Sequence, residues 1–139
     1  MKKIITFTII SFIMISCGSD LSYKEQISKY NKFVSSADSL NKIKNYKQAI
    51  LISTQAIEIT DTLSKALIER GEGNLGLNNF DDAENDFSDA IKIEGEKSIA
   101  YRGRAIANLS NDDKSDFLED INTYLTHHQK DIYALSLRA

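Results

Sequence analysis

The chain has 139 residues and a formal net charge of −3, with 42% hydrophobic residues and neither proline nor tryptophan. This length and composition are typical of one globular domain. The acidic balance argues against nucleic acid as a partner, because a phosphate backbone requires a clustered basic surface. Without proline there are no forced helix breaks, so the turns must come from Gly, Asn, Asp and Ser.

The first residues have the proportions of a secretory signal peptide. Lys2 and Lys3 precede an apolar run over residues 4–15, which is broken only by threonines and a serine. About a dozen residues are too few for a membrane-spanning helix, which requires about 20. A buried N-terminal helix is the alternative, but the run lacks a polar face. Removing both lysines from the 17 basic residues leaves 15 against 20 acidic ones, a mature charge of about −5.

The apolar run ends in Met, Ile, Ser, Cys and Gly over residues 14–18. An apolar pair, a small residue and a Cys resemble the lipobox of bacterial lipoproteins, in which the Cys thiol is acylated and the chain is cut before it. Cys17 is the only cysteine, so it has no disulfide partner within the chain. The resemblance implies a signal peptide over residues 1–16 and lipidation at Cys17, and two or three acyl chains give stable anchoring.

Residues 17–21 are interpreted as the lipidated Cys followed by a short polar tether. In Gram-negative lipoproteins an Asp directly after the Cys favours the inner membrane, and this chain has Gly18 there instead. The resemblance therefore implies a lipid-anchored protein of the bacterial cell envelope, with the outer membrane favoured. It leaves open whether the protein faces the periplasm or the cell surface.

The remaining residues, 22–139, are predicted to form a helical domain. Ser22 and Glu25 fit a capping box. Apolar residues at spacings of three and four then predict an amphipathic helix over about residues 22–43. A polar turn separates it from a second helix over residues 46–60. Four apolar residues of this second helix are predicted to face inward: Ala49, Ile52, Ala56 and Ile59.

A stretch around Phe80 repeats the pattern of an earlier one. Three pairs of residues share one separation along the chain: Tyr46 with Phe80, Ala49 with Ala83, and Ala56 with Ala90. This period of about 34 residues, with Phe87 four residues after Ala83, resembles the tetratricopeptide repeat (TPR), a helix–turn–helix unit that stacks on copies of itself. The resemblance implies an all-α fold, a short right-handed α-solenoid of about three helix hairpins with a C-terminal capping helix.

The repeats are predicted at about residues 30–63, 64–97 and 98–131. Residues 132–139 are either a cap or a truncated fourth unit, because Arg138 follows Arg104 by one repeat period. Four apolar residues favour the cap: Ile132, Tyr133, Leu135 and Leu137.

The second helix of repeat three departs from the pattern. Phe117, Ile121 and Tyr124 stand where the family has Ala, an aromatic residue and Ala. These bulky residues favour a wider helix pair or a slip of register. An alternative alignment places Asp116 and Phe117 opposite Asp86 and Phe87, and the sequence leaves the two alignments open.

Glycines are concentrated in the first helix of repeat two. Gly71 and Ala83 are interpreted as a small pair that lets two helices approach closely. Gly73 and Gly76 have no evident packing role, and each lowers helix stability by up to ~1 kcal/mol relative to Ala, which predicts a soft helix. The GxGxxG spacing of these glycines is not a dinucleotide site, because no strand precedes it. Gly95 is the predicted end of the following helix.

Two arginines and two aspartates recur with the repeat period. Arg70 and Arg104 occupy equivalent places in first helices, and Asp86 and Asp120 do so in second helices. Repeat one has neither charge. The pattern predicts the ion pairs Arg70–Asp86 and Arg104–Asp120, each bridging the two helices of one repeat.

The TPR resemblance implies a concave groove lined by the first helix of each repeat. Matched position by position, nine residues would line it: Val34, Asp38, Asn41, Ile68, Glu72, Leu75, Arg102, Ile106 and Leu109. For Leu75 and Leu109, packing between repeats is an equal alternative. Five residues stand where the carboxylate-binding relatives need basic or amide side chains, so that mode of binding is not expected: Val34, Asp38, Glu69, Ile99 and Gly103.

No group of residues in the sequence predicts catalysis, a metal or another cofactor. His127 and His128 are adjacent and are interpreted as a solvated helix end. The chain is therefore expected to be no enzyme and to bind no nucleic acid or small-molecule substrate. It is expected to be a membrane-anchored scaffold that binds a peptide or helix of a partner protein. The alternative is a small subunit or assembly factor of an envelope machine, for outer-membrane protein insertion or for pilus or secretion assembly.

Overall fold

A computed structural model describes residues 13–95 and 98–139, and of residues 13–21 it describes the backbone alone. These ranges contain seven helices and no strand. In chain order the helices are α1 Ile13–Lys42, α2 Tyr46–Ile57, α3 Lys65–Gly76, α4 Phe80–Glu94, α5 Ala100–Ser110, α6 Lys114–His127 and α7 Ile132–Arg138. Most of the predicted signal peptide, residues 1–12, and the predicted repeat boundary at Lys97 lie outside the described residues.

Consecutive helices pack against one another along the chain. α1 pairs with α2, α3 with α4, and α5 with α6, and the hairpins stack through contacts of α2 with α3 and of α4 with α5. The first helices α1, α3 and α5 also contact each other in order and form one face. α7 packs against α6. The predicted all-α solenoid of three helix hairpins followed by a C-terminal helix is confirmed.

The three hairpins share one turn geometry. Lys44, Asn78 and Asp112 stand at equivalent places of the three repeats and have φ angles of 61°, 61° and 64°. This left-handed residue ends a helix and lets the following amide donate to a carbonyl of the last turn. Those bonds are all 2.9 Å long: Asn45 to Leu40, Asn79 to Asn74, and Asp113 to Asn108.

The third hairpin keeps the register of the repeat. Its turn has the geometry of the other two, and α6 begins at Lys114, one repeat period after the start of α4. There is therefore no slip, and the alternative alignment of Asp116 with Asp86 is wrong, because Asp116 is exposed. The three bulky residues of α6 are all buried at the positions of their smaller or aromatic counterparts: Phe117, Ile121 and Tyr124.

α1 begins earlier than predicted. It runs unbroken from Ile13 to Lys42, so Ser22 and Glu25 lie inside it and the predicted capping box is wrong. A side chain can cap only where backbone amides lack helical partners, and here the preceding residues, including the predicted tether 17–21, continue the helix. Residues 22–29 are exposed apart from half-buried Ile27. No helix in the described ranges is long and apolar enough to cross a membrane.

The buried ring of Phe87 lies between the first helices of hairpins two and three. A Cβ atom at Gly71 would stand 2.8 Å from this ring, and one at Gly103 would also overlap it. Both positions therefore require glycine, because α4 reaches α3 and α5 through a large side chain. The close approach that the sequence predicts at Gly71, there paired with Ala83, is a contact of Gly71 with the ring of Phe87.

Gly73 and Gly76 have a packing role, contrary to the prediction. A Cβ atom at Gly73 would lie 2.8 Å from Cγ1 of Ile50, and one at Gly76 would lie 2.5 Å from the ring of Tyr46. Both glycines therefore receive side chains of α2 from the preceding hairpin. The sequence pattern within one repeat could not show this contact, because it joins two repeats.

The C-terminal helix is held by fewer apolar residues than predicted. Ala134 is buried in the cluster formed by α5 and α6, and Leu137 packs against that cluster. Three residues predicted to form the cap, Ile132, Tyr133 and Leu135, are exposed. A single helix of seven residues can turn only one narrow face towards α6, so its other apolar residues face solvent.

Candidate functional site

The first helices of the three hairpins surround a cavity of about 560 Å³. Seven of the nine residues predicted for the groove line it: Asp38, Asn41, Ile68, Glu72, Leu75, Arg102 and Ile106. α1, α3 and α5 supply all of these side chains, because the first helices stack side by side. The cavity therefore lies on the face of the first helices, where the repeat pattern predicts a groove.

Val34 and Leu109 do not line the cavity. Val34 is buried in the cluster of α1, α2 and α3 that contains Tyr30 and Ala56. Val34 therefore packs between helices and is not part of the groove surface. Leu109 is exposed near the end of α5, outside the cavity. Ile68 lines the cavity but is only 4% exposed, so it contributes little free surface.

Six lining residues were missed by the sequence analysis of the groove: Lys42, Tyr46, Gly76, Phe87, Ile99 and Gly103. Two of them are glycines that lie against the aromatic rings of Tyr46 and Phe87. Glycines in first helices, with aromatic residues in the second helices beside them, are a signal that could have indicated close packing. The sequence could not show that these rings also reach the cavity from second helices.

The charged groups of the cavity are unequally paired. Lys42 Nζ donates to Asp38 Oδ2 at 2.7 Å, and Arg102 Nη1 donates to Asp131 Oδ2 at 3.2 Å. Glu72 makes no ion pair with any other described side chain. The cavity therefore contains one carboxylate without a basic partner.

A second carboxyl group, that of Glu69, lies beside the cavity wall. Glu69 is buried, and its Oε2 accepts a hydrogen bond of 3.1 Å from Asn41 Nδ2. Burial raises the pKa of Glu69 to about 7, against the lowering effect of the Asn41 hydrogen bond. Desolvation by the surrounding walls also raises the pKa of Glu72, although its side chain is reached by solvent, and Arg102 partly opposes this rise.

Asp131 fixes the position of Arg102. Besides the bond from Arg102, its carboxylate accepts from Tyr124 Oη at 2.7 Å and from the backbone amide of Ala134 at 3.0 Å. The hydrogen bond from the Ala134 amide has the largest effect, and that from Tyr124 the next largest. Together they hold the pKa of Asp131 below its ordinary value. Asp131 thus caps α7 and ties it to a cavity residue, a role that the sequence analysis did not anticipate.

The structure brings both predicted ion pairs together. Arg70 Nη2 lies 2.6 Å from Asp86 Oδ1, and Arg104 Nη2 lies 2.7 Å from Asp120 Oδ1. Each aspartate also accepts from an asparagine of the first helix, Asn74 at 3.1 Å in the second hairpin and the equivalent residue at 3.3 Å in the third. These Arg–Asn–Asp groups join two helices of one hairpin and do not line the cavity.

The chain was compared with family models and with solved structures. No family model matches. Among solved structures, the TPR domain of Arabidopsis OM64 aligns with a TM-score of 0.77 at 19% identity, covering 81% of this chain and 93% of that one. The first TPR domain of human RPAP3 aligns with a TM-score of 0.76 at 17% identity, covering 79% and 87%. The chain has the TPR fold.

Two further TPR structures contain peptides. The first TPR of Spaghetti (RPAP3), bound to the HSP90 peptide SRMEEVD, aligns with a TM-score of 0.76 at 18% identity, covering 80% of this chain and 90% of that one. The second TPR domain of human RPAP3, in complex with the HSP70 peptide SGPTIEEVD, aligns at 0.72 and 20%, covering 83% and 93%. Both of these peptides end in acidic residues.

The cavity has a different charge pattern from a site for acidic peptides. Asp38, Ile99 and Gly103, which stand where carboxylate-binding relatives need basic or amide side chains, all line it. Its two cations, Lys42 and Arg102, are already bonded to aspartates of the same chain. The geometry therefore offers an acidic group and apolar walls rather than free cations.

The histidines at the end of α6 are not equivalent. His127 is exposed, whereas the ring of His128 stacks on Tyr124 with centroids 4.2 Å apart and an angle of 5° between planes. The prediction of a solvated pair therefore holds for His127 alone. No group of three His, Cys, Asp or Glu residues in the described part of the chain could hold a metal ion.

Proposed function

We propose that the protein is a membrane-anchored TPR scaffold that binds a segment of a partner protein in the cavity of its first helices. The cavity carries this proposal: it measures about 560 Å³ and combines charged groups with apolar walls. Its free apolar surface comes from Leu75, Ile99 and Ile106, which are only partly buried or exposed. The peptide complexes of two structures with this fold support a peptide as occupant.

The binding proposal predicts that a neutral polar side chain at Ile99 weakens partner binding. Ile99 lines the cavity and is 47% exposed, so Asn can be accommodated without burial while its polar amide opposes an apolar contact and adds no charge. Partners are identified by chemical cross-linking in intact cells and mass spectrometry. The dissociation constant measured for the purified partner should rise at least about 10-fold in Ile99→Asn.

Ile93→Asn is the matched control. Ile93 is 41% exposed, and it lies on α4 outside the cavity. This variant should bind as tightly as the parent. The proposal fails if both variants, folded by circular dichroism, retain the affinity of the parent.

The anchoring proposal rests on the leader-like residues 1–16 and on Cys17. The exposed helical residues 22–29 would place the domain away from the bilayer surface. Replacing Cys17 with Ser should abolish labelling by a fatty-acid analogue and release the protein from the membrane pellet. On a sucrose gradient, the parent should sediment with outer membranes because Gly18 follows the Cys. Equal labelling of parent and Cys17→Ser would contradict the proposal.

A further inference from the structure

We propose that the cavity selects a peptide segment with a cationic side chain, Lys or Arg, beside an apolar one. This inference rests on the proposed binding function and names the chemistry of its ligand. It follows from the charges, walls and shape of the cavity.

The charge balance of the cavity favours a cation. Asp38 is neutralised by Lys42, and Arg102 is neutralised by Asp131. These pairs leave the carboxylate of Glu72, which lines the cavity and makes no ion pair with a described side chain, although Arg102 and Lys42 act on it at longer range. A bound ammonium or guanidinium would supply that partner through a charge-assisted hydrogen bond.

The walls around Glu72 suit the apolar part of such a segment. Leu75 lies three residues further along the same helix, and Ile106 faces the cavity from α5. Lys and Arg pack their methylene stems along apolar surface while the charged end reaches a polar group. The rings of Tyr46 and Phe87 lie against Gly76 and Gly103 and form a further part of the walls.

The same arrangement disfavours an acidic peptide. A carboxylate in the cavity would meet Glu72 and Asp38, and the nearby cations already have partners. Like charges at a binding surface suppress the wrong ligand. The acidic peptides seen in the RPAP3 complexes are therefore not expected to bind here.

Glu69 gives this selectivity a pH dependence. Its buried carboxyl is faced by Asn41, Asp38 and Lys42 of α1 and by Glu72 of its own helix. With a pKa of about 7, Glu69 gains its charge as the pH rises through neutrality. A second negative charge beside the cavity strengthens its attraction for a cation, so affinity for a basic peptide should increase from about pH 6 to about pH 8.

The test uses the full-length protein in detergent and a phage library displaying random dodecapeptides. Selected peptides are synthesised with a fluorescent label, and their dissociation constants are measured by anisotropy. We expect selected sequences to combine Lys or Arg with Leu, Ile or Val. Glu72→Gln should weaken their binding about 10-fold, whereas Glu58→Gln, which removes an exposed carboxyl outside the cavity, should not.

The outcomes separate this inference from the proposed function. Acidic or uncharged peptides whose binding is weakened in Ile99→Asn would overturn the cationic preference and leave the binding function intact. Basic peptides that bind Glu72→Gln as tightly as the parent would also overturn it. Failure to select any peptide sensitive to Ile99→Asn would overturn both.

Discussion

Replacing Arg70 with Met is expected to lower the free energy of unfolding by about 3–5 kcal/mol. Arg70 Nε and Nη2 donate three hydrogen bonds of 2.6–3.1 Å to the carboxylate of Asp86. The side chain of Asp86 is only 6% exposed, and burial raises its pKa against the effect of Arg70. Without the guanidinium, Asp86 keeps one hydrogen bond, from Asn74, and its buried charge has no counter-ion.

The two partners should behave asymmetrically. Arg70 has a 27% exposed side chain that can reach water when its partner is lost. We therefore expect Asp86→Asn to lower the unfolding free energy by only about 1–2 kcal/mol. The double variant Arg70→Met/Asp86→Asn should lose less than the sum of the single variants, because it leaves no buried charge.

Lys92→Met provides the control for the arginine variant. It removes an ion pair with Asp89 whose side chains are 75% and 57% exposed, so the loss should stay below about 1 kcal/mol. Urea unfolding followed by circular dichroism measures all four variants. Equal losses in Arg70→Met and Lys92→Met would show that the buried pair contributes no more than a surface pair.

Replacing Glu69 with Gln is expected to stabilise the domain at about pH 8 and to leave it nearly unchanged at about pH 4.5. Burial raises the pKa of Glu69 from 4.5 to about 7, so the folded state holds this proton more tightly than the unfolded state. The stabilisation that comes from this tighter proton binding is fully present below pH 4.5 and is lost as the pH rises through about 7. At about 1.4 kcal/mol per pKa unit, ionisation of Glu69 lowers the unfolding free energy of the parent by roughly 3 kcal/mol at about pH 8.

The glutamine variant avoids this loss because its side chain stays neutral. Its carbonyl can still accept from Asn41 Nδ2, as Glu69 Oε2 does. Its amide also adds a donor to a side chain that already bonds Asn41, whose buried Oδ1 atom has no hydrogen-bond partner. Urea unfolding of parent, Glu69→Gln and the exposed control Glu58→Gln at the two pH values tests the prediction. A pH-independent difference between parent and Glu69→Gln would contradict it.

The repeat period of the sequence correctly predicted most of the fold. Tyr46 and Phe80 begin α2 and α4, and the same spacing puts Lys114 at the start of α6. The recurring charges also contained information about contacts, since Arg70 and Asp86 lie together as do their equivalents in hairpin three. Equivalent positions of stacked units have similar surroundings, so a repeated residue implies a repeated contact.

The repeat period predicted the residues of the candidate site less completely. The predicted residues of α3 all line the cavity, and so do two of the three of α5, but Leu109 lies outside it. On α1, Val34 is buried and Lys42 lines the wall instead. Hairpin one has no preceding unit, and its first helix extends well beyond the packed region. Its residues therefore do not share all the surroundings of their equivalents, and transfer by the repeat period fails there.

The sequence by itself determined the order of the helices, their turns and the ion pairs within hairpins two and three, because these depend on residues close in the chain and on a regular period. Only the tertiary structure decided that Gly76 receives the ring of Tyr46, that Asp131 holds Arg102 and that Glu72 remains without a basic partner among the described side chains. Such contacts join different repeats or the last repeat to α7. They depend on how helices approach one another in space, which the spacing of residues along one chain does not specify.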